Sequence, residues 1–266
     1  MIQRPCNFFL HFKKNLEATG FKQSTNDPCL FISKTVLCLV YVDDYLFFSR
    51  NQQDIDTAID ALKTQGMELN KEDDAAGFLG VQMTKQSNGH IILTQPGLIN
   101  HVVEAVGVTS CNPKSTPSPR KALGRDLNGP PFDADFNYAS VVGMMLYLCN
   151  NFQPDIAFAV SQCARYTHHP TAKHAQYLKH TAKYLKGTRT EGLILKPKGR
   201  PLHLQCYVDA NFAGLWHKDD EADPHCVLSR SGWVITIGGC PIMLKSKGTC
   251  KIRWPTFFHF FVFSAK

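Results

Sequence analysis

The sequence predicts an α+β protein, on three observations. Short apolar, β-favouring runs come in pairs before residue 95, broken by turn residues. Residues 136 to 185 carry apolar positions at helical spacing. Strand-like runs then return after residue 190, separated by Gly or Pro.

Taken in order, Val36 to Val42 is an apolar run that Asp43-Asp44 interrupts and Tyr45-Leu46-Phe47-Phe48 resumes. That pattern predicts a hairpin with two carboxylates at its tip. Ile55, Ile59 and Leu62 then recur at helical spacing, with Asp54 and Asp56 in an acidic first turn and Gly66 as the stop. Phe78 to Met83 and Ile91 to Leu93 predict a second strand pair around Ser87-Asn88-Gly89. Thr94 offers an N-cap to a short helix over Gly97 to Val106, with Pro96 at an early position. Cys111 to Pro131, with five prolines, predicts a loop or linker with extended stretches. Three helices are expected over Phe136–Asn150, Pro154–Tyr166 and Ala172–Leu185, with Gly187 after the last. Strands are expected at Leu193–Leu195, Leu202–Val208, Val234–Ile237 and Ile242–Leu244.

Composition bounds the function. At 266 residues, two domains are expected, and 44% hydrophobic residues suffice for a packed core. A net charge of +7 fits a nucleic-acid partner without requiring one. None of the ten cysteines has a neighbour at the spacing zinc sites favour, and several lie in apolar runs. Free thiols in a reducing compartment are therefore expected. No run approaches the ~18 apolar residues of a membrane span, and no signal peptide is legible, so an intracellular protein is expected.

Two adjacent carboxylates at the tip of an apolar hairpin repel each other, and strands disfavour aspartate. An ordinary exposed turn is one reading; a divalent-metal site is the other. Magnesium takes hard oxygen ligands, typically one or two carboxylates plus substrate phosphates. In two-metal phosphoryl transfer such ions activate the attacking oxygen and stabilise the leaving one.

Tyr41-Val42-Asp43-Asp44 resembles the acidic motif of reverse transcriptases. Its surroundings resemble those of copia-type retrotransposon Pol polyproteins: Asp27-Pro28-Cys29-Leu30-Phe31 before it, and Phe78-Leu79-Gly80-Val81 and Leu93-Thr94-Gln95 after it. Pro154-Asp155-Ile156-Ala157, Arg165-Tyr166 and Tyr184-Leu185-Lys186-Gly187-Thr188 continue the likeness, which runs from about Asn7 to Lys247.

The resemblance implies an incomplete reverse-transcriptase palm with an antiparallel hairpin, a helical thumb or connection region, then a partial ribonuclease H-like α/β domain. The corresponding divisions are 1–110, 111–190, 191–247 and a non-family tail, 248–266. Asp43 and Asp44 map onto palm metal ligands for magnesium. Tyr41 and Val42 map onto positions near the primer terminus and the incoming nucleotide. An RNA or DNA template-primer is the implied partner in the parent polyprotein, in cytoplasmic virus-like particles or the nucleus. Asp209, at the end of the Leu204 to Val208 strand run, is most simply a turn or cap residue. In the resemblance it matches the first ribonuclease H metal carboxylate, whereas Asn211 stands where family members often carry a second aspartate.

The likeness stops after Ser246-Lys247, before the family's Glu-bearing helix, and an aromatic tail from Pro255 to Lys266 follows. A frameshift, unspliced intron or gene-model artefact is the expected source. Met1 to Val40 holds one aspartate, Asp27, where the family places a palm aspartate well upstream. Part of two active sites and the whole of neither is therefore expected, with little polymerase activity from this chain alone. The alternatives are a non-catalytic nucleic-acid-binding module, gripping a duplex through Lys173, Lys179, Lys183, Lys186 and Arg189, or a domesticated structural protein. His168, His169, His174 and His180 lack the spacing of a helical metal pair and are expected at the surface or partly packed.

Overall fold

A computed structural model describes residues 3–42, 44–70, 80–121, 123–133, 135–196, 203–211 and 229–248. The chain forms two compact units, residues 1–79 and 80–266.

In the first unit, α1 (Gln3–Ala18) precedes four short strands, β1 (Lys22–Gln23), β2 (Leu30–Ile32), β3 (Val36–Tyr41) and β4 (Asp44–Ser49), and α2 (Gln52–Thr64) follows. The strands form an antiparallel meander in the order β1-β2-β3-β4. Strand alternation puts Val36, Cys38 and Val40 on the inner face, where they join Phe12, Leu16, Phe31 and Leu62 in one core. Each such side chain contributes about 1.5–3 kcal/mol by leaving water. The helix α1 is absent from the sequence reading, although Phe9, Phe12 and Leu16 have helical spacing. Phe12 stacks on Tyr45 of β4 with ring centroids 4.1 Å apart, tying helix to hairpin.

The expected helix after the hairpin forms as α2, capped by the Asn51 side chain, which accepts from the Gln53 N–H. It stops where expected. Gly66, at φ +84°, donates its N–H to the Lys63 carbonyl, and Met67 N–H reaches back to Leu62. That double closure needs a left-handed residue, and Met67 and Leu62 are both buried beneath it.

In the second unit, β5 (Gln82–Lys85) and β6 (Ile91–Thr94) pair around Gly89, and β7 (Leu193–Leu195) adds to β6 from across the chain. Between them lie α3 (Pro96–Ala105), α4 (Tyr138–Asn151), a 3-10 turn (Pro154–Ile156), α5 (Ala157–Ala164) and α6 (Ala172–Gly187). Their apolar faces meet in a second core that includes Val102, Met145, Leu148, Val160, Leu178 and Leu185. Strands β8 (Leu204–Asn211), β9 (Arg230–Ile237) and β10 (Cys240–Gly248) form an antiparallel sheet in the order β10-β9-β8, with β10 against α4 and α5.

Three sequence expectations are corrected. The strand expected over Phe78–Met83 begins at Gln82; Gly80 sits at φ +71°, outside strand geometry, and Phe78 and Leu79 lie outside the described residues. Thr94 ends β6, and Gln95 is the α3 N-cap, without a side-chain cap bond. The second of the three helices is a 3-10 turn followed by a shorter α5 that ends at Ala164.

Among the described residues, Cys111 to Pro131 holds no helix or strand, as the loop reading expects, and it packs on the helices as a strap. Its prolines bar it from helix or sheet, so its carbonyls need other partners. The second unit supplies them. Lys186 donates to the carbonyls of Thr109 and Cys111 at 2.7 and 2.8 Å, Thr181 to Pro117 at 3.0 Å, and Arg165 to Leu123 at 3.4 Å. Leu123 is buried in the core.

Among the described residues, Cys38, Cys149, Cys163 and Cys240 are buried free thiols, Cys29 and Cys111 are half-buried, and Cys206 is exposed. No described helix is long and apolar enough to cross a membrane.

Candidate active site

The hairpin of β3 and β4 is closed by two residues, Val42 and Asp43, with Tyr41 directly opposite Asp44. Asp43 lies outside the described residues. Residues that face each other across an antiparallel ladder project to the same side, so Tyr41 and Asp44 share the outer face. One position back, Val40 and Tyr45 share the inner face over Phe12. The buried side thus fixes the register, and a one-residue slip would carry Asp44 into the core. Tyr41 is 50% exposed, and Asp44 is also exposed.

Val42 has φ +53° and is 59% exposed. It is the one described residue other than glycine with positive φ. A two-residue hairpin turn favours such angles, and Asn or Gly adopts them readily. A β-branched side chain does so at a cost of about 1–2 kcal/mol. Val42 therefore sits strained on top of a well-packed ladder that holds it in place.

Asp44 makes no ion pair among the described residues. It offers hard oxygen donors at an exposed strand end, which suits a divalent cation that keeps water and substrate oxygens as its other ligands. No group of three or more potential metal ligands occurs among the described residues.

Asp209 lies on β8 opposite Gly232, with Asn211 opposite Arg230, and its whole strand is exposed. The strand runs on two residues past Asp209, so the aspartate is a strand residue and not the cap or turn expected from sequence.

The basic helix is only partly a free cationic face. Lys186 is engaged by the strap, and Lys179 pairs with Asp135 at 3.6 Å and lies over the Phe136 ring. Lys173 and Arg189 are exposed.

His174, expected at or near the surface, is a corrected case. It is 2% exposed and closes a capping box at the start of α6. Its Nδ1 accepts from the Thr171 N–H at 2.9 Å, and its ring stacks on Tyr166 at 4.0 Å. Burial, above all, holds its pKa below the usual value, against opposing contributions from the Gly124 carbonyl and Asp126. The Thr171-x-x-His174 spacing was the available signal.

Sequence reasoning also missed a groove of about 1240 Å³ in the second unit, bounded by the strap, α4, α5 and β10. Arg125, Arg165, Arg230, Lys245 and Lys247 line it, with Asp126 the one described carboxylate among its walls.

Residues 1–120 match the family model described as "Reverse transcriptase (RNA-dependent DNA polymerase)". The chain is 31% identical to the "Retrovirus-related Pol polyprotein from transposon RE1" of Arabidopsis thaliana, over 92% of this chain and 16% of that protein. It is 30% identical to the corresponding RE2 polyprotein of Arabidopsis thaliana, with the same coverage. It is 27% identical to a "Putative transposon Ty5-1 protein" of Saccharomyces cerevisiae, over 92% of this chain and 78% of that protein. The chain thus spans about 16% of the length of the two Arabidopsis relatives. No solved structure matches it.

Proposed function

Because this chain belongs among the Pol polyproteins of retrotransposons, we propose that its hairpin is the metal-binding turn of a polymerase palm. In this reading the first unit is part of the palm, and Asp43 and Asp44 hold a magnesium ion. Tyr41 and Val42 lie beside the primer terminus and incoming nucleotide. The helices of the second unit act as thumb or connection, and β8 to β10 open a ribonuclease H-like domain in which Asp209 is a metal carboxylate.

The observation that carries the reading is the register of the turn. Tyr41 faces Asp44 on the exposed side, while Val40 and Tyr45 anchor the same two strands below. A metal site needs its carboxylates held within a fraction of an ångström, and a strand ladder over a packed core does that better than a loop.

When bound, magnesium would neutralise charge on the transferring phosphoryl group. The chain's own contributions are separate. Asp44 supplies a carboxylate fixed by its pairing with Tyr41. The Tyr41 ring offers an exposed aromatic surface beside it, suited to a base or sugar. The strained Val42 backbone keeps the turn tight.

The test replaces magnesium with ferrous iron and adds hydrogen peroxide and ascorbate; iron reduces the peroxide to hydroxyl radical, which cuts the backbone where the iron is held, and ascorbate returns the iron to the ferrous state. Full-length chain is expected to be cut near residues 41–45, and Asp43→Asn/Asp44→Asn is expected to abolish that cut. Absence of cleavage at the hairpin in the parent chain would sink the proposal, as would a cut that survives the double substitution.

A further inference from the structure

Asparagine followed by glycine is chemically labile, because the glycine nitrogen reaches the side-chain amide without hindrance from a Cβ. The chain holds two such pairs, Asn88-Gly89 and Asn128-Gly129, and both asparagines are exposed. Their surroundings differ.

Asn88-Gly89 lies in the turn between β5 and β6, where the reacting groups are engaged. The Gly89 N–H donates to the Gln86 carbonyl at 2.9 Å, and Asn88 Oδ1 accepts from the His90 N–H at 2.9 Å. The Gln86 N–H donates to the His90 carbonyl at 2.8 Å and ties the ends of the turn together. Attack by the Gly89 nitrogen would have to break the first two of these bonds.

Asn128-Gly129 lies in the strap. Among the described residues, neither the Asn128 side chain nor the Gly129 N–H has a hydrogen-bond partner. Glycine is nevertheless required there. A Cβ at position 129 would lie 1.8 Å from Asp126 Oδ2, and Asp126 accepts from the Thr171 hydroxyl at 2.7 Å. A larger residue would push that carboxylate off Thr171. The packing of the strap therefore sets the least hindered nitrogen beside an unengaged side-chain amide.

We propose that Asn128-Gly129 is a self-modification site whose co-reactant is water, and that its reaction loosens the strap from the start of α6. The Gly129 nitrogen gives up its proton to solvent and bonds to Asn128 Cγ. The Cγ–Nδ2 bond breaks and ammonia leaves, closing a cyclic imide. Water then opens either imide C–N bond, giving aspartate or isoaspartate. Nothing is oxidised or reduced.

Isoaspartate carries the main chain through the former side chain and lengthens it by a methylene. The strap is pinned on both sides of this point. Asp126 holds Thr171 before it; after it, the Pro130 carbonyl accepts from Ala172 N–H at 3.2 Å, and Phe132 N–H donates to Pro170 at 3.0 Å. A longer segment between fixed anchors displaces one of them.

The test warms the full chain at neutral pH in heavy-oxygen water and follows both asparagines by peptide mass spectrometry. Asn128 is expected to exchange its amide for a labelled acid roughly tenfold faster than Asn88, as two hydrogen bonds to be broken imply. In urea, where those bonds are lost, the two rates should converge. Equal or reversed rates in the folded chain would overturn the site, and so would a gap that persists in urea. The isoaspartate form, separated by ion exchange, reports on the strap. Amide protection at Ala172 and Phe132 should fall roughly tenfold, whereas Asn128→Asp, which adds the charge without the methylene, should stay within about threefold of the parent. Unchanged protection in the isoaspartate form, or an equal loss in Asn128→Asp, would refute the loosening.

Discussion

His174 is the side chain whose removal the structure prices most directly. In His174→Ala the buried Thr171 N–H loses its acceptor, at about 1–3 kcal/mol for an unpaired donor. The stacked contact with Tyr166 adds about 0.5–1.5 kcal/mol. The expected loss is about 2–4 kcal/mol, local to the start of α6. His174→Gln keeps an acceptor at the capping-box position and should recover about half of it. Because the chain has two units, a single unfolding transition is not assumed. Amide hydrogen exchange reads the effect where it arises: protection in the first turns of α6 should fall roughly a hundredfold in His174→Ala, at about 1.4 kcal/mol per tenfold. The pH dependence has a definite sign. The folded state keeps His174 neutral below the usual imidazole pKa, so the unfolded state binds more protons as pH drops through about 6.5. Stability should therefore be full above that value and decline below it, by at most about 1.4 kcal/mol per pH unit for one proton. His180 is shifted in the same direction, first by burial, and would leave a residual slope in His174→Gln. Protection in His174→Ala within threefold of the parent, or an acid slope unchanged in His174→Gln, would refute this account.

Replacing Val42 by Asn at φ +53° should relieve about 1 kcal/mol of backbone strain, seen as slower amide exchange in β3 and β4; faster exchange would mean the turn is not strained. Burial pushes the Cys38 and Cys163 thiols up to about 12 and Cys149 up to about 11, whereas Cys206 is exposed. Peptide-resolved maleimide labelling should thus modify Cys206 in the folded chain and reach the other three only on unfolding. Early labelling of Cys163 would contradict its burial.

The hairpin and α2 were legible because their signals are local and agree. Alternation places Val36, Cys38 and Val40 on one face, and Gly66 stops the helix by a rule internal to that turn. The helix α1 was missed because its sequence mixes Lys13, Lys14 and Asn15 with the apolar stripe, and its core face is recognisable only against Phe31 and Tyr45. The anchoring of the strap was not legible for a related reason. Prolines correctly exclude regular structure from Cys111 to Pro131, but the partners that fix it, Lys186, Thr181 and Arg165, lie more than forty residues away. At the candidate sites the pattern repeats. The acidic turn could be read because its residues are contiguous, whereas the groove gathers Arg125, Arg165, Arg230 and Lys245 from four separate segments.

That contrast bears on what the reverse-transcriptase match covers. The match ends at residue 120, inside the strap, and crosses the division between the two units. Within it, β6 leaves an edge that β7 fills from residues 193–195, and Gly192 makes the join possible because a Cβ there would lie 2.1 Å from the Leu93 carbonyl oxygen. The buried face of α3, with Ile99, Val102 and Val103, is covered largely by α4 and α6. The matched stretch is therefore not a folding unit. Residues 80–120 take their structure from helices and a strand beyond the match, while the hairpin takes its own from residues 1–79. The proposed metal-binding hairpin rests on a turn built by local rules. The cationic groove rests on long-range closure, which composition and spacing do not register.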